Sequence, residues 1–102
     1  VAPYDQSDSD LYFVGGSSIH GIGCFASSRM INGTVVGYGM VHGEKQTLGR
    51  YVNHSDVPNC VAFKSEDGSL VCVQAIIDLE PYEELTLDYN QTFLLTAGAA
   101  NG

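Results

Sequence analysis

The chain has 102 residues, enough for one domain with a single small core. Hydrophobic residues make up 44% and charged residues 16%, the balance of a folded globule rather than a disordered chain. Twelve acidic against four basic residues give a net charge of -8, which argues against nucleic acid as a direct partner and permits a basic protein segment.

Residues 1–10 are polar and are expected as a loose N-terminal arm. Leu11 to Val14 reads as a short aromatic and β-branched strand closed by Gly15-Gly16. Ile19 to Ala26 holds Gly21 and Gly23 around Ile22, a pair that lets the backbone turn or lets a ligand approach where no Cβ stands. No third glycine, lysine or helical pattern follows, so this is not a phosphate-binding loop, and a tight turn in a strand is the plain structural alternative. Asn32-Gly33 signals a turn and Thr34 to Val36 a strand. From Gly37 to Gly49 periodicity is lost, which predicts a connection, followed by one helical turn around Gln46 to Val52. Arg50 to Cys60 reads as a rigid loop, because Asn, Ser and Asp side chains compete for backbone hydrogen bonds and Pro58 holds Val57 extended. Val61 to Glu66 and Ser69 to Ile77 are predicted strands joined by a two-residue type I′ turn at Asp67-Gly68. Asp78 to Tyr82 is a turn around Pro81, Leu85 to Tyr89 a last strand, and the end of the chain a tail anchored only by Phe93. The class is mostly β.

Cys24, Cys60 and Cys72 cannot all pair within one chain, and with no Cys-x-x-Cys or paired His spacing a metal site is not expected. Buried thiols in a reducing compartment are the economical reading. Sequons begin at Asn32, Asn53 and Asn90, but no signal peptide makes them usable. No apolar run approaches the ~20 residues of a membrane helix. The expected setting is intracellular, with no membrane partner, and a start at Val1 rather than Met suggests a trimmed chain.

Three motifs carry the functional expectation: Gly21-x-Gly23, then Arg50-Tyr51-x-Asn53-His54-Ser55-x-x-Pro58-Asn59-Cys60, then Glu84-Leu85-Thr86-x-Asp88-Tyr89. Taken singly, Tyr89 reads as a strand-end aromatic, His54 as a structural histidine, and Asn53 and Asn59 as turn residues. In this order the three resemble the signature motifs of SET-domain protein lysine methyltransferases, over most of the chain from about Gly15 to Tyr89. The resemblance implies a β-clip-like fold of several small curved sheets, spanning residues 11–93, with a C-terminal pseudoknot that sets the last two motifs side by side. It implies S-adenosylmethionine as cofactor, held by Gly21, Ile22, Gly23, Arg50, Asn53 and His54, with Phe93 covering the adenine. It places Tyr89 as the catalytic residue where the target lysine enters, in a channel bordered by Leu87, Ala62 and Tyr51.

The chemistry accounts for these types, because methyl transfer is an in-line displacement in which the protein positions two partners and excludes water. The lysine must first shed its proton, since an ammonium of pKa about 10.4 has no lone pair, and a phenol beside it can orient the amine or take part in deprotonation. The sequence departs from the family in its short stretch between the Gly and Asn-His motifs. It also has Asp56 where many relatives have a zinc-binding cysteine, Leu87 where an aromatic often narrows the channel, and no cysteine-bearing tail. Two expectations follow: a reduced lysine methyltransferase acting on a basic protein or peptide, or a non-catalytic binding module of the same fold. A second copy, as a homodimer, is the assembly that would complete a shortened site.

Overall fold

The computed structural model describes residues 10–90. The predicted arm, tail and Phe93 anchor lie outside the described residues, apart from Asp10 and Asn90. Strands β1 (Tyr12–Gly16) and β2 (Ile22–Ala26) form an antiparallel pair in which Phe13 faces Phe25, their rings stacked at 5.5 Å. The strand thus runs on through Gly15 and Gly16 instead of ending at them. The connection turns on Gly21, at φ +47°, and is closed by Ser17 N–H donating to the Gly21 carbonyl.

A four-stranded antiparallel sheet is ordered β4-β3-β7-β6, from β3 (Val35–Val41), β4 (Glu44–Lys45), β6 (Cys60–Lys64) and β7 (Leu70–Ala75). Here two expectations fail. Gly37 to Gly49 is no plain connection, because β3 continues to Val41 and a hairpin leads into β4. Register shifts against β7 at Val35/Gly37 and at Tyr38/Met40 break the two-residue alternation, so no period was there to read. The type I′ turn expected at Asp67-Gly68 is also not found there. His42 and Gly43 both have positive φ and join Val41 to Glu44 by two residues, the geometry a type I′ turn requires. At Asp67-Gly68 only Gly68 has positive φ, and Gly68 N–H donates back to the Ser65 carbonyl in a four-residue loop. The Asp67 carboxylate explains this, accepting Ser69 N–H (3.0 Å) and the hydroxyls of Ser65 (2.8 Å) and Ser69 (2.7 Å).

The predicted helical turn is α1 (Thr47–Tyr51), which buries Leu48 and lies so close to β3 that a Cβ on Gly49 would strike the Gly39 carbonyl. The core gathers Leu48, Leu79, Leu85, Val36 and Val73 with the thiols of Cys24 and Cys60, each almost wholly buried. Burying one such aliphatic side chain contributes about 1.5–3 kcal/mol.

A third sheet is a short parallel pair, β5 (Asn53–His54) with β8 (Thr86–Leu87), so Arg50 to Cys60 is not loop throughout. The chain from Glu83 to Leu87 is gripped on two sides. On one side Ala26 N–H donates to the Glu83 carbonyl and Leu85 N–H to the Cys24 carbonyl. On the other, Ser55 N–H donates to the Leu87 carbonyl. Asn59 clasps the same segment, donating to the Glu84 carbonyl (2.8 Å) and accepting Thr86 N–H (2.8 Å). It is a buried strap, not a free turn residue. The last strand is shorter than predicted: Tyr89 and Asn90 are already helical, with Asn90 N–H donating to the Asp88 carboxylate. Among the described residues no helix is long and apolar enough to cross a membrane.

Candidate functional site

Three consecutive residues at β5 serve two sides of one site. Asn53 is 8% exposed, and its amide points toward the β1–β2 turn, where its nitrogen lies 3.1 Å from Ser17 Oγ and 3.1 Å from the His20 carbonyl. It lies 3.3 Å from the Ile22 carbonyl and 2.9 Å from Glu84 Oε2. An amide nitrogen carries two hydrogens, so four acceptors around it exceed what it can satisfy. Ser17 Oγ donates to the same carboxylate at 2.8 Å. Gly23 makes room for this cluster, since a Cβ there would run into the Glu84 carboxylate and come within 3.1 Å of the Asn53 amide. The two glycines therefore differ: Gly21 supplies a backbone conformation and Gly23 supplies space.

On the other side, the Tyr89 hydroxyl donates to the Val52 carbonyl at 2.7 Å. Tyr89 N–H donates to His54 Nδ1 at 3.0 Å, and the two rings lie 5.0 Å apart. With Nδ1 accepting, the proton sits on Nε2, which meets the Asp56 carboxylate at 3.1 Å. His54 thus orients the backbone that carries Tyr89. Half of Tyr89 is exposed, but its hydroxyl end is sheltered, and burial, then the neighbouring Cys24, raises the phenol above its ordinary pKa of 10.0. It stays a phenol near neutrality. Burial pushes both Cys24 and Cys60 up to about 12, with Glu84 adding to the first, so both are neutral thiols.

A cavity of about 460 Å³ opens beside Tyr89, bordered by Val52, Ala62, Leu87, Lys45 and Arg50 together with residues of β3 and β7. Leu87, Ala62 and Tyr89 all border this one cavity. Tyr51 is not on this lining and is 37% exposed at the end of α1. Arg50, expected with the glycines and Asn53, instead borders the Tyr89 cavity, because the last turn of α1 presents it there. Sequence reasoning missed Ser17 and Glu84, and it missed Lys45. Glu84 stood inside a quoted motif, and a carboxylate there matters only once the fold lays it over a residue lacking Cβ. Among the described residues no cluster of three metal-ligating side chains occurs.

A family model described as "SET domain" matches residues 8–90. The chain is 41% identical over 59 residues to the histone-lysine N-methyltransferase ASHH2 of Arabidopsis thaliana, covering 56% of this chain and 3% of that protein. Among solved structures, a Plasmodium falciparum protein assigned as a histone methyltransferase, PFL0690c, superposes with a TM-score of 0.66 at 18% identity. That match covers 78% of this chain and 92% of the other. A humanized mutant of the Chaetomium thermophilum Polycomb Repressive Complex 2, bound to the inhibitor GSK126, matches with a TM-score of 0.69 at 18% identity, over 85% of this chain and 16% of that one. At these identities the solved structures share the fold.

Proposed function

The chain belongs to the SET-domain family, and from that premise we propose that it is a protein-lysine N-methyltransferase using S-adenosylmethionine, with a lysine of a protein segment as acceptor. The observation that carries this reading is the Tyr89–Val52–Asn53–His54 arrangement, in which one short strand serves both a polar cluster and an apolar cavity. Support for the curated relative's activity here is limited to the domain, since this chain spans about 3% of that protein's length.

The residues present fit the cofactor. Surplus acceptors at Ser17, Glu84 and the His20 and Ile22 carbonyls suit an ammonium with three donors, such as the one on the methionine part. Gly21, Ile22, Gly23, Asn53 and His54 form the wall that would hold it, and the missing Cβ of Gly23 leaves room for the Glu84 carboxylate that would face the ammonium. Bound there, S-adenosylmethionine supplies an electrophilic methyl on a sulfonium. Tyr89 is an orienter, not a base, because its hydroxyl proton is committed to Val52 and its pKa is raised. Its free lone pair can accept an N–H of the lysine amine and aim the nitrogen's own pair. Val52, Ala62 and Leu87 exclude water and favour the uncharged amine over the ammonium. The negative charge of the chain favours the approach of basic segments.

The test is transfer of labelled methyl from S-adenosylmethionine to a mixture of lysine-containing peptides, run beside a melting curve. At a hundredfold excess over its dissociation constant the cofactor should stabilise the fold by about 2.7 kcal/mol. A shift without transfer would leave a cofactor-binding module, and neither would leave a scaffold of the same fold.

A further inference from the structure

We propose that the cavity beside Tyr89 selects a lysine with an acidic neighbour in the substrate chain, and that Lys45 and Arg50 read that neighbour. The acceptor lysine itself rests on the methyltransferase reading, and the flanking carboxylate is the added element. The chain has four Lys and Arg residues in all, and two of them border this one cavity. Ion pairs of Lys or Arg among the described residues draw on Arg29 alone, so Lys45 and Arg50 have no carboxylate partner there. Both are exposed. Among the described residues the cavity lining contains no Asp or Glu. On a protein of net charge -8, local positive charge without a counter-ion stands beside the tyrosine that faces the substrate.

The rest of the lining is apolar and suits the alkyl stem of lysine, but two cations repel an ammonium. Charge complementarity therefore falls on the residue next to the lysine. In an extended segment adjacent residues stand about 3.3–3.6 Å apart, so a carboxylate one or two places from the lysine stays at the cavity rim. Arg50 can take it through two parallel N–H donors, and Lys45 as a point charge. A second basic residue at that place would be disfavoured. The whole-molecule charge governs approach from a distance and the Lys45–Arg50 pair governs register, which are separable effects.

The experiment measures binding of short fluorescent peptides carrying one lysine flanked by Glu, Gln or Arg, by anisotropy, at low and high salt. Wild type should bind the Glu-flanked peptide roughly 5-fold tighter than the Gln-flanked one, the scale of one or two exposed charge pairs, and the gap should shrink with salt. Lys45→Glu and Arg50→Glu each bring the charge of the pair to zero and should erase the preference, and the double variant should reverse the order, so that the Arg-flanked peptide binds best. Lys64→Glu, on β6 and outside the cavity, should leave the order as in wild type. An unchanged ranking in both cavity variants, a wild-type preference for Arg, or no binding of any peptide would overturn the proposal. Charge-selective binding without methyl transfer would retire the enzyme and leave the selectivity standing. Transfer with no flank preference would do the opposite.

Discussion

Tyr89 is where binding and chemistry separate at a single atom. Tyr89→Phe keeps the ring against His54 and the Tyr89 N–H bond to His54 Nδ1, but removes the hydroxyl that meets Val52. If that hydroxyl aims the amine, the variant should hold cofactor as well as wild type yet transfer methyl about 100-fold more slowly. If it is only a structural hydrogen bond, the cost is about 1 kcal/mol of stability with transfer intact. Single-turnover rates together with an unfolding midpoint distinguish the two. Glu84 and Ser17 escaped notice at this scale because nothing in their local sequence marks either as facing Asn53. They matter through surplus acceptors around Asn53, which only neighbours distant in sequence create.

Among the elements, α1 and the β6–β7 hairpin each yield a test. Gly49→Ala should gain up to ~1 kcal/mol of helix propensity. The new Cβ must nevertheless enter the Gly39 carbonyl, a backbone atom that cannot swing aside. Overpacking of this kind costs typically 1–3 kcal/mol, so the net change is a loss, read as a lower urea midpoint. A stabilised variant would mean that α1 does not sit on β3 as described. In the hairpin, hydrogen bonds from Ser69 and Ser65 hold the Asp67 carboxyl at about 2, below its ordinary 3.8. A depressed folded pKa gives stability that is present above pH 4 and lost as pH falls toward 2. The stability difference between wild type and Asp67→Ala should therefore narrow over that interval. A constant difference from pH 6 to pH 2 would remove Asp67 from the turn.

For the whole molecule, the two core thiols predict an alkaline weakness. Cys24 and Cys60 are raised from 9.0 to about 12 chiefly by burial, and Tyr89 is raised in the same sense. Raised folded values give stability that is complete below pH 9 and declines as pH climbs toward 12, because the unfolded chain sheds protons that the folded chain keeps. Denaturant midpoints measured from pH 8 to pH 11 should fall steadily above 9. A flat profile would mean that the thiols are not buried in one core.

Local chemistry was enough to announce much of this protein. A mostly β chain, the β6–β7 pair, the turn at Pro81 and one helical turn near Gln46 all follow from side-chain branching, ring constraints and hydrogen-bonding competition within a few residues. The three motifs also stood in the sequence, because residue types and spacing suffice to resemble a family. The tertiary structure alone decided the rest. Register shifts hid β3, since an extra residue against β7 erases the alternation that betrays a strand. The turn at Asp67-Gly68 departs from type I′ because Asp67 finds serine donors on both sides of its loop, whereas His42-Gly43 has a two-residue gap to close. Arg50 and Tyr51 are adjacent in sequence, yet only Arg50 reaches the Tyr89 cavity, since neighbours on a helix point about 100° apart. Asn53 and Glu84 meet because the last strand is laid beside β5 and clasped by Asn59. Spacing along a chain can state which groups exist, but only long-range packing states which of them face one another.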